Sequence, residues 1–291
     1  MTFFLFPAWS FGAEGVKLKY VASTYADASG GGIRQPEGVA CNNTSLFIVA
    51  DTGNGRLLSC SVQGGTIRPG TEIKISELSY PVWVKMNSKG DIFTLDGKKR
   101  RILRLNPDGA FKGYLDPVGA PAPATMVPRS FSIDHNDNIY VLDVFSERVL
   151  LLDPEGKYLG QIAFPKEYGF FSDITVDAKN TIFLVDSVQA TVWSAPKNAP
   201  GFTPLTKSLR EYMDFPVGIT TDGRGTMFIT DRNGGGIVIL GQDGSFHSRQ
   251  LRKGSTEGLV NYPSQMCIND KGDIFIADRN NNRVQVFTTA Q

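Results

Sequence analysis

The chain has 291 residues, with 30 lysines and arginines against 29 aspartates and glutamates, 31 glycines, 19 phenylalanines and 9 tyrosines. The balanced charge gives no reason to expect nucleic acid or an anionic membrane as an obligatory partner. No apolar run reaches the roughly 18 residues that a membrane span needs. The glycine and aromatic content is typical of short β-strands joined by tight turns.

The first twelve residues, MTFFLFPAWSFG, are apolar and uncharged, with small residues at Ser10 and Gly12. Small residues at these two positions before a cleavage point are typical of a signal peptide, although the basic start of such a peptide is missing. We therefore expect residues 1–12 to be a truncated signal peptide and the protein to be exported to a periplasmic or extracellular space. The alternative is an apolar leader without a function.

A repeat of about 45 residues follows. Each of six units opens with proline, or with Phe171 in the fourth, and has an aspartate 15 residues later. These aspartates, spaced 45, 47, 43, 45 and 47 residues apart, are Asp51, Asp96, Asp143, Asp186, Asp231 and Asp278. A spacing repeated so closely indicates one supersecondary unit repeated six times.

Within each unit the order of patterns predicts four strands. A short apolar strand and a turn rich in Asn, Asp, Gly and Lys precede a dense aromatic strand such as DIFTL or DIFIA. A polar loop then leads to a third strand, and an acidic-Gly or Gly-Gly turn opens a more polar fourth. We expect an all-β, six-bladed β-propeller of four-stranded antiparallel blades, with residues 13–291 as a single domain.

The two ends of the chain complement each other. The sixth unit has three strands and stops at RVQVFTTAQ, whereas AEGVKLKYV near the start supplies an acidic-Gly turn and one strand. We predict that this N-terminal strand completes the last blade and closes the ring, which also removes an exposed strand edge.

Three cysteines, Cys41, Cys60 and Cys267, show no CxxC or other metal-site spacing. An odd count without such spacing favours buried free thiols over a disulfide framework or a zinc site.

The pattern Pro-x-Gly-Val, Asp-Ile-Phe-x-Ala-Asp and Asn-x-Arg-Val resembles the NHL repeat, best in ADTGNGRLL, DNIYVLDVFSERVLLL and IADRNNNRVQVF. The resemblance covers nearly all of residues 16–290. It implies the propeller fold and, in most NHL proteins, a platform that binds protein or RNA. Relatives of the fold are hydrolases, lactonases or lyases, so the resemblance does not by itself assign a function.

An arginine follows several of the repeat aspartates by five residues: Arg56, Arg101, Arg148 and Arg283. A ring of catalytic pairs is one interpretation. A residue that recurs once in each blade more often serves the blade, so we expect these pairs to tie the loops. Blades four and five have Thr191 and Gly236 at the arginine position.

Residues that differ between blades indicate where a ligand could bind. At the channel mouth, where the loop between strands two and three meets the entrance to strand one, the variable positions include Glu37, Trp83, Arg129, Asp173 and Gln265. An acid, a base and an indole at this place could anchor a peptide or a small polar ligand, or form a solvated rim. The basic loop Lys98, Lys99 and Arg100 could engage an acidic partner or be solvated.

Enzyme functions have less support. The two histidines, His135 in a turn and His247 in a predicted outer strand, do not make the set that amidating-lyase relatives use for zinc. Glu37 and Asp173 fall short of the six or more oxygens that calcium prefers.

We therefore predict a non-catalytic, monomeric binding module for a protein, a peptide or a small polar ligand, without a cofactor or a metal. The alternative is a hydrolase or lactonase-like enzyme with a divalent metal at the channel mouth.

Overall fold

The computed structural model describes residues 16–123 and 125–290, which form six four-stranded antiparallel sheets. The expected signal peptide, residues 1–12, lies outside these residues. Strand β1 (Lys17–Thr24) is followed by the five blades that are continuous in sequence. Blades one to three consist of β2 (Gly38–Cys41), β3 (Leu46–Asp51), β4 (Arg56–Gln63) and β5 (Thr66–Ile73); β6 (Pro81–Met86), β7 (Ile92–Asp96), β8 (Arg101–Leu105) and β9 (Phe111–Tyr114); and β10 (Pro128–Ile133), β11 (Ile139–Asp143), β12 (Arg148–Leu152) and β13 (Tyr158–Ala163).

Blades four to six repeat the arrangement. They consist of β14 (Phe171–Val176), β15 (Ile182–Asp186), β16 (Thr191–Ala195) and β17 (Thr203–Pro204); β18 (Pro216–Thr221), β19 (Met227–Asp231), β20 (Gly236–Leu240) and β21 (Phe246–Gln250); and β22 (Pro263–Ile268), β23 (Asp273–Asp278) and β24 (Arg283–Ala290) with β1. Short 3-10 helices, Thr52–Asn54 and Arg279–Asn281, follow β3 and β23. No helix of the described residues is long and apolar enough to cross a membrane.

The ring closes through the N-terminal strand. β1 pairs with β24 in antiparallel register from Lys17 opposite Ala290 to Thr24 opposite Val284. The prediction that the first strand completes the last blade is therefore confirmed. The first strands of neighbouring blades contact one another in sequence, and β22 contacts β2, so these six strands surround the central channel.

Large aromatic side chains pack between adjacent blades. The position three residues before each repeat aspartate holds a buried side chain in every blade: Ile48, Phe93, Tyr140, Phe183, Phe228 and Phe275. Across the closing interface Phe275 packs against Phe47, the residue before Ile48, with ring centroids 4.9 Å apart. Because these residues lie on the dense aromatic strand of each repeat, the hydrophobic pattern itself determines how the blades stack.

A recurring irregularity shapes the start of the first strand. In blades two to five the pairing with the second strand shifts by one residue directly after the opening residue, at Val82, Arg129, Ser172 and Val217, and in blade six it shifts after Pro263. Such β-bulges bend a strand and re-aim the side chain at the extra residue. Because of the bulge, the side chains at these positions do not follow the regular alternation of inward and outward side chains along the strand.

The cysteines correct the sequence-based expectation. Cys41 at the end of β2 and Cys267 in β22 form a disulfide with a Cα–Cα distance of 5.9 Å, which joins the first and last blades. The expectation of free thiols was wrong for these two because they are 226 residues apart in sequence and become neighbours only when the ring closes. Cys60 is a buried free thiol, and burial raises its pKa to about 12.

Candidate functional site at the channel mouth

A cavity of about 510 Å³ opens at the end of the channel where the first strands begin. Its walls come from the entrances to the first strands and from the loops between strands two and three, which is the face that the sequence indicated. The lining is apolar and aromatic on one part, with Tyr80, Val82, Trp83, Leu95, Val127, Val144 and Phe170, and charged on another, with Glu37, Arg100, Arg129 and Arg232. Apolar walls with a few converging polar groups are typical of a ligand site.

Glu37 is held between arginines of two other blades. Its carboxylate accepts hydrogen bonds from Arg279 Nε at 2.7 Å, from Arg232 Nη2 at 3.2 Å and from the Ser264 hydroxyl at 3.1 Å. Glu37 was predicted from the sequence, whereas both arginines were missed. Each of them directly follows a repeat aspartate, and that shared position is the signal that could have identified them.

Arg129 differs from Glu37. It lies at the bulge of β10, and no ion pair or hydrogen bond joins its guanidinium to any residue that the structure describes; the centroid of the Phe170 ring lies 5.4 Å from the guanidinium carbon. Although the residue is exposed overall, burial of the guanidinium and the charge of Arg232 lower its pKa, while Asp173 and Glu37 act in the opposite direction. The Arg232 Nε is also buried without a partner. The mouth therefore carries positive charge that the described protein groups do not fully neutralise.

Asp173 lies below the rim rather than on it. Its carboxylate accepts hydrogen bonds from Trp83 Nε1 at 2.8 Å, from the backbone N–H of Ile219 at 2.8 Å and from the Ser130 hydroxyl. Burial raises its pKa, against the charge of Lys85 and these three donors. Asp173 and Trp83 are thus bonded to each other as the floor of the cavity, whereas the sequence analysis placed both among the variable positions of the mouth.

Gln265 crosses the channel in the same layer. Its Oε1 accepts the backbone N–H groups of Val39 and Val84, both at 3.1 Å, and its Nε2 donates to the Val84 carbonyl at 3.0 Å. Because its Oε1 accepts two hydrogen bonds and its Nε2 donates one, Gln265 links blade six to blades one and two.

The three residues of the basic loop have different contacts. The Lys99 ammonium donates to the Glu77 carbonyl at 2.7 Å, and the Lys98 ammonium lies 5.2 Å from the centroid of the Tyr80 ring. Arg100, in a left-handed conformation with φ of 53°, lines the mouth cavity and an adjoining cavity toward blade three. Of the three residues, Arg100 is the one that joins the mouth.

The six repeat aspartates are completely buried. Each accepts a hydrogen bond from a backbone N–H in the loop that enters its own blade; the donors are Arg34, Ser79, Val127, Gly169, Asp214 and Asn261. These carboxylates therefore hold the loops around the mouth without lining the cavity.

The arginines at the repeat position are less uniform. Arg56, Arg148 and Arg283 bond the aspartate of their own blade, whereas Arg101 bonds Asp116 at 2.8 Å instead of Asp96. In blade five, where Gly236 takes the arginine position, Arg249 of the fourth strand reaches Asp231 at 2.8 Å. The expected Asp96–Arg101 pair is therefore absent from the described contacts, because Asp96 is occupied by N–H groups of its own loops.

The described residues offer little to metal binding or to acid–base catalysis at the mouth. Within residues 16–123 and 125–290, no group of three or more His, Cys, Asp or Glu side chains is placed to hold a metal ion. His135 lies in a turn next to Asn136, and His247 lies in β21, so neither lines the mouth. The two carboxylates near the mouth are each occupied by protein donors.

Known proteins resemble the chain mainly in fold. The NHL-repeat family model matches residues 260–287. A search of curated protein sequences finds no match. Among solved structures, the chain is similar to virginiamycin B lyase from Staphylococcus aureus, crystallised with quinupristin, at a TM-score of 0.64 and 15% identity over 94% of this chain and 99% of that one.

Two further structures show how widely the architecture is used. A protein assigned to a gluconolactonase family matches at a TM-score of 0.67 and 13% identity, over 95% of this chain and 93% of that one. A chain of a nidogen–laminin complex matches at 0.60 and 19% identity, over 75% and 80%. Identities this low show the shared fold alone, so function has to be argued from the site.

Proposed function

Because the chain belongs to the NHL-repeat six-bladed propellers, whose architecture carries both binding and catalytic functions, we propose that it is a non-catalytic recognition module. It binds an acidic segment of a protein or peptide partner at the channel mouth. The observation that carries this proposal is the guanidinium of Arg129, which lines the mouth cavity and has no acidic partner among the described residues.

The charge balance of the mouth supports an acidic ligand. Arg100, Arg129 and Arg232 line the cavity together with a single glutamate, Glu37, whose carboxylate already accepts three hydrogen bonds. Guanidinium groups form directional, paired hydrogen bonds with carboxylates. Burial of the guanidinium and then the charge of Arg232 lower the pKa of Arg129, and a carboxylate of the partner would offset both.

The apolar wall supports a segment rather than a bare ion. Tyr80, Val82 and Phe170 line the cavity beside the arginines, and Phe170 is 39% exposed. A partner with an aromatic or aliphatic residue next to its acid would cover this wall, and burial of apolar area contributes about 25 cal/mol per Å². Rigid loops on a closed ring also reduce the entropy lost on binding.

The hydrogen bonds of the two carboxylates near the mouth favour recognition over hydrolysis. A metal-assisted or general-base mechanism needs a carboxylate that is free to take a ligand or a proton. Glu37 and Asp173 instead hold their oxygens toward protein donors.

We further propose that the protein works in an oxidising compartment outside the cytoplasm, because the Cys41–Cys267 disulfide suits such a place.

Selection from a library of random peptides displayed on phage tests the proposal. Peptides enriched on the wild-type protein should share an acidic residue beside an apolar one, and a synthetic peptide should bind Arg129→Met at least about tenfold more weakly, because a hydrogen bond to a charged group contributes about 1.5–3 kcal/mol. Arg224→Met, which removes an exposed arginine from a turn at the opposite end, is the matched control and should bind normally.

Two results would overturn the proposal. One is an enriched peptide whose affinity is the same for Arg129→Met and the wild type. The other is stoichiometric Ca²⁺ or Zn²⁺ in the purified protein that is lost on Glu37→Ala, since this would favour the hydrolase or lactonase-like alternative.

A further inference from the structure

A second cavity, of about 200 Å³, lies at the end of the channel opposite the mouth. We call it the inner cavity. It is lined where the first strands end, and it is separated from the mouth by the layer of Trp83, Asp173 and Gln265. At about 30 Å³ for each water molecule in the liquid, it has room for several waters or for a small hydrated ion.

The same strand position supplies the polar lining from four successive blades. The fifth residue of the first-strand segment, counted from the opening proline or phenylalanine, is Lys85 in blade two, Ser132 in blade three, Thr175 in blade four and Thr220 in blade five. Since alternate residues of a strand lie on one face, the third and fifth positions both face the channel. The four side chains therefore converge on its axis.

These polar groups have no hydrogen-bond partner among the residues that the structure describes. Ser132 and Thr175 are each 4% exposed and Thr220 is 8% exposed, yet none of their hydroxyls hydrogen-bonds to another group in the described part of the chain. Lys85 has no carboxylate within 4.0 Å in the same residues, and no acidic side chain lines the cavity. Buried polar groups in folded proteins nearly always have a partner, so the partner here comes from solution.

The charge of Lys85 decides which kind of partner fits. Burial lowers the pKa of Lys85, and Asp173, in the layer toward the mouth, offsets this only in part. Asp173 is itself engaged by Trp83, Ser130 and Ile219. Water could satisfy the hydroxyls, but it would add no negative charge to the part of the ammonium's burial that Asp173 does not offset.

Acidic side chains surround the outer side of this end without entering the cavity. Asp270 and His135 line a neighbouring cavity together with Asp134, Asp177 and Asp222, each of which accepts two backbone N–H groups of its own turn. Their carboxylates are thereby turned to the loops, which leaves Lys85 as the charged group within the described lining of the inner cavity.

We propose that this inner cavity binds one small oxyanion of the phosphate or sulfate class, with the Lys85 ammonium as its counter-charge and the hydroxyls of Ser132, Thr175 and Thr220 as hydrogen-bond donors. The site rests on residues that the mouth does not use, so it stands independently of the proposed recognition function.

Methyl NMR of the full chain reads this site directly, because Thr175 and Thr220 carry methyl groups at the cavity. Titration with sodium sulfate, at an ionic strength held constant with sodium chloride, should shift both methyl signals to saturation. Lys85→Met should weaken the binding at least about tenfold, whereas Lys89→Met, which removes an exposed lysine at the same end, should leave it unchanged.

A second variant keeps the proposal testable if Lys85→Met does not fold. Thr175→Val keeps the shape of the side chain and removes one donor, so it should weaken sulfate binding roughly threefold to tenfold with an unchanged melting temperature. Parallel titrations with inorganic phosphate and with phenyl phosphate distinguish a free ion from the phosphoryl group of a larger ligand. The absence of saturable shifts with all three probes, or sulfate affinity that is unaffected by both Lys85→Met and Thr175→Val, would overturn the proposal.

Discussion

The floor residues occupy the third position of their first strands and Arg129 of the rim occupies the second position of its own, yet the polar groups of the two layers are bonded differently. On the floor, Trp83 and Asp173 bind each other, and both ends of the Gln265 amide are occupied by backbone groups. On the rim, Arg129 has no protein partner in the described residues and Arg232 keeps one buried nitrogen unpaired. The difference separates residues that hold the ring together from residues that remain available for a ligand.

The largest expected effect concerns the ring on which both layers depend. Deleting residues 1–24 removes β1, which exposes the edge of β24 and the apolar side chains packed against it. We expect loss of cooperative unfolding and aggregation, measured by thermal melting and size-exclusion chromatography. Deleting residues 1–12 is the control and should leave the melting temperature unchanged. A soluble protein with an unchanged melting temperature after the longer deletion would refute the closure.

Replacing one floor residue and one rim residue should separate stability from binding. Asp173→Ala leaves Trp83, Ser130 and Lys85 without their buried acid and should lower the free energy of unfolding by about 3–5 kcal/mol. Arg129→Met removes a group that has no partner in the described part of the chain and should change the free energy of unfolding by less than about 0.5 kcal/mol. Urea denaturation measures both, and equal losses would show that the two layers do not differ as described.

Two of the repeat arginines, one buried and one exposed, allow a similar comparison of stability in the loops. Arg283 bonds Asp278 at 2.7 Å with both side chains buried, whereas Arg101 bonds Asp116 at 2.8 Å with both side chains exposed. Arg283→Met should lower the free energy of unfolding by about 3 kcal/mol or more, because it leaves a buried charge. Arg101→Met should cost less than about 1 kcal/mol. A loss of the same size for Arg101→Met would mean that sequence position, not burial, determines the contribution.

The smallest effect is a pH dependence of the floor. Burial raises the pKa of Asp173 in the folded protein above its unfolded value, so the folded state binds a proton more readily. The stability of the wild type should therefore increase, relative to Asp173→Asn, as the pH falls from neutral to about 4.5. Denaturation of both proteins at the two pH values measures this difference. A relative decrease at low pH would show that the donors and Lys85 outweigh burial.

Much of the architecture was predictable because the repeat is local. Six aspartates at a nearly constant spacing and one aromatic strand in each unit predict six blades, and the unmatched ends predict their closure. The disulfide was not predictable in the same way, since Cys41 and Cys267 meet only after the ring has closed.

The site was predictable in location but not in detail. Comparison of equivalent positions identified Glu37, Trp83, Arg129, Asp173 and Gln265 near the mouth. It could not distinguish floor from rim, because a bulge at Arg129 and at its equivalents in other blades changes which side chain faces the channel. Partners across the channel, such as Arg279 with Glu37, are set by the closed ring and leave no local pattern beyond their place after the repeat aspartate.

The most direct test of the central claim is a double-mutant cycle between Arg129 and the acidic residue of a peptide selected on the wild-type protein. Isothermal titration calorimetry would compare wild type and Arg129→Met, each with the acidic peptide and with the peptide whose acid is replaced by its amide. We predict a coupling energy of at least about 1 kcal/mol, as direct contacts give. A coupling energy of zero, with binding retained in all four pairs, would contradict the assignment of Arg129 as the receptor of the acidic group.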